Sequence, residues 1–185
     1  MHMSRGALLC IASIFAVAAS NAAVAADMAE GVQLPAMKGY ALAHQHSDPQ
    51  GNRIAEYVPK GQTVENWTDM VTVNNAVGSG DVGPRKFLGV IEAGWQAACP
   101  GSESHWIREG EKAGRPFALL MLSCPRNPGT GKPEMTWIKG IQGIEGFHTV
   151  QKSFRFEPGK DAVVQWIGWL RDVGLCGNRE SPACG

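Results

Sequence analysis

The chain has few of the sequence features that are typical of nucleic-acid-binding, membrane or zinc-binding proteins. Its 17 basic and 17 acidic residues cancel, so no excess positive charge is available for nucleic acid or an anionic membrane. No two cysteines have the close spacing of a zinc knuckle, and the Gly-x-Ser-x-Gly motif of a hydrolase nucleophile elbow is absent. Internal repeats and low-complexity tracts are also lacking. We therefore expect a globular protein with no nucleic-acid partner and no stable membrane insertion.

The one long apolar run lies at the N-terminus. Arg5 is followed by apolar residues 6–19, and the run closes on the small residues 23–26. This order of charge, apolar stretch and small residues is typical of a secretory signal peptide. We therefore predict a signal peptide over 1–26 and a single α+β domain over 27–185, located in the periplasm or outside the cell. Cleavage would leave about 159 residues with one net negative charge.

The cysteine count agrees with export. After cleavage Cys99, Cys124, Cys176 and Cys184 remain, an even number in an oxidising compartment. Four cysteines permit three connectivities, and we favour Cys99–Cys124 with Cys176–Cys184. The second pair would close the polar C-terminal tail into a short loop.

The hydrophobic pattern predicts an antiparallel sheet of about six to seven strands with two helices packed against it, an α+β fold. A helix begins near Pro84, with Asp81 as its cap, and runs to Cys99. A second helix runs from about Asp161 and stops at Gly174. The predicted strands cover 38–46, 53–58, 68–74, 104–108, 117–122, 135–142 and 148–156, with a polar turn over 109–115.

The last helix has the clearest pattern. Trp166, Ile167 and Leu170 share its apolar stripe, so we expect them to be buried. Trp169 lies off this stripe and should be more exposed.

Residues 56–73 carry a recognisable motif, Glu-Tyr-Val-Pro-Lys-Gly followed by Asn-Trp-Thr-Asp-Met-Val-Thr-Val. It resembles a motif in a family of uncharacterised secreted bacterial proteins, which also end in a tryptophan-containing helix and a cysteine-closed tail. The element order is similar to α+β domains of the Mog1/PsbP type. The resemblance implies a binding or accessory role and supplies no catalytic residues. Read physically, Tyr57, Trp67 and Met70 pack the core; the alternative is that Asn66 and Trp67 line a ligand or partner surface.

Two glycine-rich stretches resemble the sequence motifs of nucleotide-binding loops. Gly78-x-Gly80-x-x-Gly83 lies between a predicted strand and a helix, as a dinucleotide-binding turn requires. The antiparallel strand order and Pro84, which removes an amide donor, favour structural glycines instead. The stretch 129–132 lacks the first glycine of a P-loop, and Pro133 replaces its Ser or Thr.

His44 and His46 are the best metal candidates. On one face of a strand their imidazoles could chelate zinc, copper or nickel, with His105, His148 or Met70 as a possible third ligand. Two histidines on an exposed strand are commonly solvated polar groups, and we expect that outcome.

Other chemistry has little support. Glu103, Glu109, Glu111 and Glu145 could act as paired carboxylates only if folding brings them together. The basic side chains Lys139, Lys152 and Arg155 lie among Trp137, Phe154 and Phe156 and resemble a basic-aromatic surface, but the neutral net charge favours a solvated sheet face.

We therefore assign no catalytic, cofactor-binding or metal-ligating residue and no cofactor. The leading hypothesis is an exported, non-enzymatic module that binds an unknown protein or small ligand. The alternatives are a secreted hydrolase-like enzyme and a periplasmic metal-binding protein that uses His44 and His46.

Overall fold

The computed structural model of the chain describes residues 30–177. They form an α+β fold with a seven-stranded antiparallel sheet, a separate two-stranded ribbon and two helices. In chain order the elements are β1 (Gly31–Gln33), β2 (Tyr40–Ser47), β3 (Arg53–Pro59), β4 (Asp69–Val77), α1 (Pro84–Ala98), β5 (Glu103–Lys112), β6 (Arg115–Cys124), β7 (Glu134–Gln142), β8 (Gly146–Phe154), α2 (Lys160–Asp172) and β9 (Gly174–Cys176).

The large sheet has the strand order β2-β3-β4-β8-β7-β6-β5. The first three strands form one half, and the meander β5–β6–β7–β8 forms the other, with β8 bonded to β4. Because successive strand residues point to opposite faces, β6 supplies apolar side chains to both sides of the sheet. This explains the continuous apolar run over 117–122.

The two helices lie on opposite faces of the sheet. On one face, Leu88 of α1 packs against Leu120 and Ile138, and Phe87 stacks on Phe147 with ring centroids 4.0 Å apart. On the other face, Leu170 of α2 packs with Leu119 and Val150 in the largest buried cluster. The central strands β7 and β8 are therefore covered on both sides, whereas β2 at the edge is exposed along most of its length.

The ribbon of β1 and β9 brings the two ends of the described residues together on the α2 face. Gly31 pairs with Cys176 and Gln33 with Gly174. Neither short strand was expected from the sequence, because three-residue strands carry no readable alternation.

Most of the motif residues have structural roles. Trp67 and Met70 are buried in a small cluster with Val58 on the α1 face, and the Arg155 guanidinium lies 3.8 Å from the Trp67 ring centroid. Tyr57 is half-buried on the opposite face, beside the α2 cluster. The core-packing interpretation of Trp67 and Met70 is confirmed.

Several sequence predictions are wrong in detail. The polar stretch after Arg108 continues β5 to Lys112, because cross-strand bonds to β6 override its turn-like composition. Asp81 does not cap α1, whose N-cap is Gly83 without a side-chain bond, although Pro84 begins the helix as expected. Gly174 does follow the C-cap Val173 of α2, as predicted.

The exposure pattern of α2 also differs from the prediction. Leu170 is fully buried, but Trp166 and Ile167 are only half-buried. Trp169 is half-buried as well, because its indole N–H donates to the Pro35 carbonyl at 3.2 Å. Its ring also meets Trp166 edge to face, with centroids 5.3 Å apart.

A disulfide joins Cys99 to Cys124, as predicted. It ties the end of α1 to the end of β6. Cys176 is also disulfide-bonded, and Cys184, its predicted partner, lies outside the described residues, as does the predicted signal peptide. No helix within 30–177 is long and apolar enough to cross a membrane.

Candidate functional site

His44 and His46 lie on one face of β2, on the side of the sheet opposite to Leu42. A bulge between Leu42 and His44 shifts the register of β2 against β3. Leu42 lies opposite Tyr57 on the α2 face, whereas the two histidines lie on the opposite face, exposed, with Glu56 opposite His44. Within the described residues, no three histidine, cysteine or acidic side chains are grouped closely enough to hold a metal ion.

The glycines of the dinucleotide-like stretch serve local packing. Gly78 adopts a positive φ of 75° after β4, and Gly83 is the N-cap of α1. A Cβ on Gly80 would lie 2.6 Å from the Ile144 carbonyl oxygen. The preceding strand pairs antiparallel with β8, which is not the parallel arrangement of a dinucleotide-binding unit.

Lys152 and Lys139 are buried, which overturns the prediction of a solvated basic-aromatic face. Lys152 is 0% and Lys139 is 2% exposed, and both point from the central strands toward α2. The sequence contained a signal for this, since Lys139 shares its parity with Trp137 and Ile141, both in the core. Arg155, after β8, packs on Trp67 instead.

Lys152 is the centre of a polar network beneath α2. Its ammonium donates to the Asp69 carboxylate and, at 2.6 Å, to the Tyr40 hydroxyl. Tyr40 in turn donates to Asp69. The ammonium also lies 4.0 Å from the Trp166 ring centroid. Burial lowers the pKa of Lys152 to about 8.

The pKa of Asp69 moves in the same direction for a different reason. Burial by itself would raise it, but hydrogen bonds from Lys152, Tyr40 and Thr68 lower it below its usual range. Burial and the Asp69 hydrogen bond raise the pKa of Tyr40. At neutral pH the network is therefore an ion pair with a neutral phenol, and its polar groups are bonded to one another. This arrangement gives it a structural role.

Lys139 and Lys112 hold the C-terminal end of α2. Lys139 donates to the carbonyl oxygens of Leu170 and Val173 at 3.0 and 2.7 Å. Lys112 donates to the Asp172 carbonyl at 2.8 Å. Because the last carbonyls of a helix have no intrahelical donors, two cations satisfy them here and complement the helix dipole.

A polar cleft of about 690 Å³ opens on the α2 face, between the β1–β9 ribbon and the strands β2 to β4. Its base is one cross-strand row, in which Ser47 pairs with Arg53, Arg53 with Asn75, and Asn75 with His148. Directly paired residues have side chains about 5 Å apart on one face. Four strands thus bring four polar side chains into a line that no linear motif reveals.

Glu30 and His148 form a buried pair at the closed end of this row. Their side chains are 5% and 2% exposed, and His148 Nε2 lies 3.4 Å from Glu30 Oε2. The same oxygen accepts from the Ile144 amide at 2.8 Å, and the Arg115 guanidinium lies 3.4 Å from Oε1. Burial lowers the pKa of His148, although Glu30 opposes the shift. The ring is therefore neutral at pH 7, with its proton assigned to Nε2, because the carboxylate can only accept.

Several side chains of this row have polar groups without a hydrogen-bond partner among the described residues. His148 Nδ1 and Asn75 Oδ1 are buried acceptors with no donor among the described residues. At the open end, the exposed guanidinium of Arg53 has no hydrogen-bond or ion-pair partner within 30–177. Asn75 and His148 thus line the cleft at one end of the row, and Arg53 lines it toward the other.

The predicted carboxylate candidates do not contribute to this site. Glu103, Glu109 and Glu111 lie on the opposite edge strand, β5, and Glu145 lies in the turn between β7 and β8. Glu109 instead pairs with Arg85 of α1.

Comparison with known proteins gives one partial match. A model of an uncharacterised protein family matches residues 36–83, about a quarter of the chain. No curated protein matches the chain. The matched segment contains β2, β3 and β4, and thus three of the four residues in the cleft row. The similarity is accordingly to an uncharacterised family over this segment, and the Mog1/PsbP likeness of the whole chain stays a prediction.

Proposed function

We propose that this protein is exported and binds a small molecule that carries both an ammonium group and a carboxylate, such as a free amino acid. The observation that carries this proposal is the cross-strand row in the polar cleft. Its buried acceptors, Asn75 Oδ1 and His148 Nδ1, lie at one end, and the unpaired Arg53 guanidinium lies at the other.

Hydrogen-bond energetics support a donor-rich ligand. A buried acceptor without a donor costs about 1–3 kcal/mol, and an ammonium group can donate to both acceptors at once. The neutral state of His148 suits this role, because an imidazolium would repel the ammonium. Arg53 can bind a carboxylate with two parallel hydrogen bonds.

Isothermal titration calorimetry with the twenty free amino acids tests the proposal. For any amino acid that binds, we expect the matched amine without the carboxylate and the N-acetylated acid to bind at least tenfold more weakly. Arg53→Met should abolish the preference for the amino acid over the matched amine. Arg126→Met, at an exposed position outside the cleft, is the control. Failure of all twenty to bind would reject this ligand class.

Export is tested separately. Intact-mass analysis of secreted protein should show a chain that begins at Ala26 or Asp27. A chain that stays in the cytosol and begins at Met1 would contradict export without bearing on the cleft.

The Glu30–His148 pair favours a hydrolytic enzyme as the second candidate. A carboxylate that orients an imidazole is the arrangement used to activate a nucleophile, here water. A screen with chromogenic esters and amides should then show turnover that His148→Gln removes. Binding of an amino acid without turnover would favour the binding module.

A further inference from the structure

A second depression lies on the α2 face, on the other side of the helix from the polar cleft. It is a groove of about 710 Å³ between α2 and the strands β5 and β6. Phe117 and Leu119 form its base, and Ile167 and Leu170 form the wall on α2. The apolar side chains of Ile107 and Val164, 42% and 63% exposed, extend its surface.

The charges around this groove are predominantly basic. Arg108, Lys112, Lys139 and Arg171 line it against Glu111 and Asp172. The two lysines are engaged by the carbonyls at the end of α2, and Arg171 lies 3.3 Å from Asp172. Arg108 has no ion-pair or hydrogen-bond partner among the described residues. It lies opposite Leu119 in the register, so that its Cβ is on the groove side of β5.

We infer that this groove binds a free long-chain carboxylate, with the alkyl chain along α2 and the carboxylate on Arg108. Two properties of the groove select this occupant. Its apolar lining on one helix and two strands suits an alkyl chain, and its volume of about 710 Å³ lies within the range of about 300–1,000 Å³ typical of small-molecule pockets. The unpaired guanidinium complements a carboxylate and disfavours a cation.

A substitution at one glycine of α2 can block the groove. Gly168 lines it from α2, and a Cβ at this position would meet no atom within 4 Å. Gly168→Phe therefore places a ring in the groove and also replaces a residue of poor helix propensity. Gly89 of α1 is equally open and lies on the other face of the sheet, so Gly89→Phe is the matched control.

The experiment is a calorimetric titration with sodium tetradecanoate below its aggregation concentration, beside tetradecan-1-ol and tetradecyltrimethylammonium. We expect the carboxylate to bind the native protein at least tenfold more tightly than either analogue. Gly168→Phe should weaken tetradecanoate binding at least tenfold without lowering Tm, and Gly89→Phe should leave it unchanged. The Arg108→Met variant should bind tetradecanoate and tetradecan-1-ol with equal affinity. The Arg126→Met variant should still bind tetradecanoate more tightly than the alcohol.

Three results would overturn the inference. Equal binding of all three amphiphiles would remove the role of Arg108, and tetradecanoate binding that survives both Gly168→Phe and Ile107→Asp would place the ligand elsewhere. A dimer in sedimentation analysis that Gly168→Phe dissociates, without tetradecanoate binding, would assign the groove to a second copy of the chain. Arg53→Met should not affect any of these results, so that this test is independent of the polar cleft.

Discussion

Lys152 carries a buried positive charge that depends on one counterion, Asp69. Its side chain is fully buried, whereas the Asp69 side chain is 15% exposed. Removing one partner of a buried ion pair leaves an uncompensated charge, which is far more costly than replacing both. The two ends of this pair therefore have unequal mutational costs.

We predict that Asp69→Asn lowers the free energy of unfolding by about 3–5 kcal/mol, because it leaves the Lys152 ammonium without its counterion. Lys152→Met should cost less, since Asp69 keeps donors from Tyr40 and Thr68 and some access to water. The double variant should recover most of the stability lost in Asp69→Asn. Urea denaturation measures all three, with the exposed Asp161→Asn as control. Additive losses in the double variant would contradict a coupled pair.

His148 should make stability depend on pH in a defined window. Burial lowers its pKa in the folded state below the ordinary 6.5, so the unfolded chain takes up the proton first as the pH falls. Its contribution is complete above about pH 6.5 and is lost as the pH falls toward the folded value. We expect the urea midpoint to drop between pH 7 and 5, and His148→Gln to flatten that slope. An unchanged slope would place the effect on other groups.

At the scale of elements, α2 is held to the sheet by one fully buried side chain and by two lysines that bond to its last carbonyls. Leu170 is fully buried in the core cluster, and Lys139 and Lys112 satisfy the carbonyls where the helix ends. The neighbouring tryptophans are only half-buried, so they share the packing rather than dominate it.

Leu170→Ala should therefore lower the free energy of unfolding by about 2–5 kcal/mol through the cavity it leaves. Val164→Ala, on the same helix at a 63% exposed position, should change it by less than about 0.5 kcal/mol. Chemical denaturation of the two variants gives the comparison. Equal losses would mean that α2 packs on the sheet with a different face.

At the scale of the whole molecule, covalent and strand connections join distant parts of the chain. The Cys99–Cys124 disulfide closes a loop with a sequence separation of 25. The β1–β9 ribbon joins the two ends of the described residues.

Replacing both Cys99 and Cys124 with serine should lower the free energy of unfolding by about 3.5 kcal/mol in the loop-entropy model. The double variant avoids a single free thiol that could exchange with Cys176. Non-reducing peptide mapping of the native protein should show the Cys99–Cys124 link and, as a prediction still to be tested, a Cys176–Cys184 link. No loss of stability on removing the first bridge would mean that its native geometry is strained.

Much of the architecture could be predicted from local pattern. Alternating runs and the continuous apolar run over 117–122 located all seven strands of the large sheet, and the helical spacing located α1 and α2, because the surfaces against which an element packs impose its period on the sequence. The positions at which helices and strands begin and end were less predictable. Gly83 replaced Asp81 as the cap of α1, and β5 ran four residues past its predicted end, since tertiary contacts decide how far an element extends.

Composition and periodicity thus determined the α+β class and located the two helices and the seven strands of the large sheet, and cysteine spacing favoured the Cys99–Cys124 pair. The tertiary structure decided where the chemistry lies. The bulge in β2 separated the histidines from Leu42, and burial turned two lysines from surface cations into internal ones. The row from Ser47 to His148 joins residues about one hundred positions apart in the chain, and it exists only because four strands pair in one register. Register follows from the packing of the whole sheet, which a local sequence pattern does not encode.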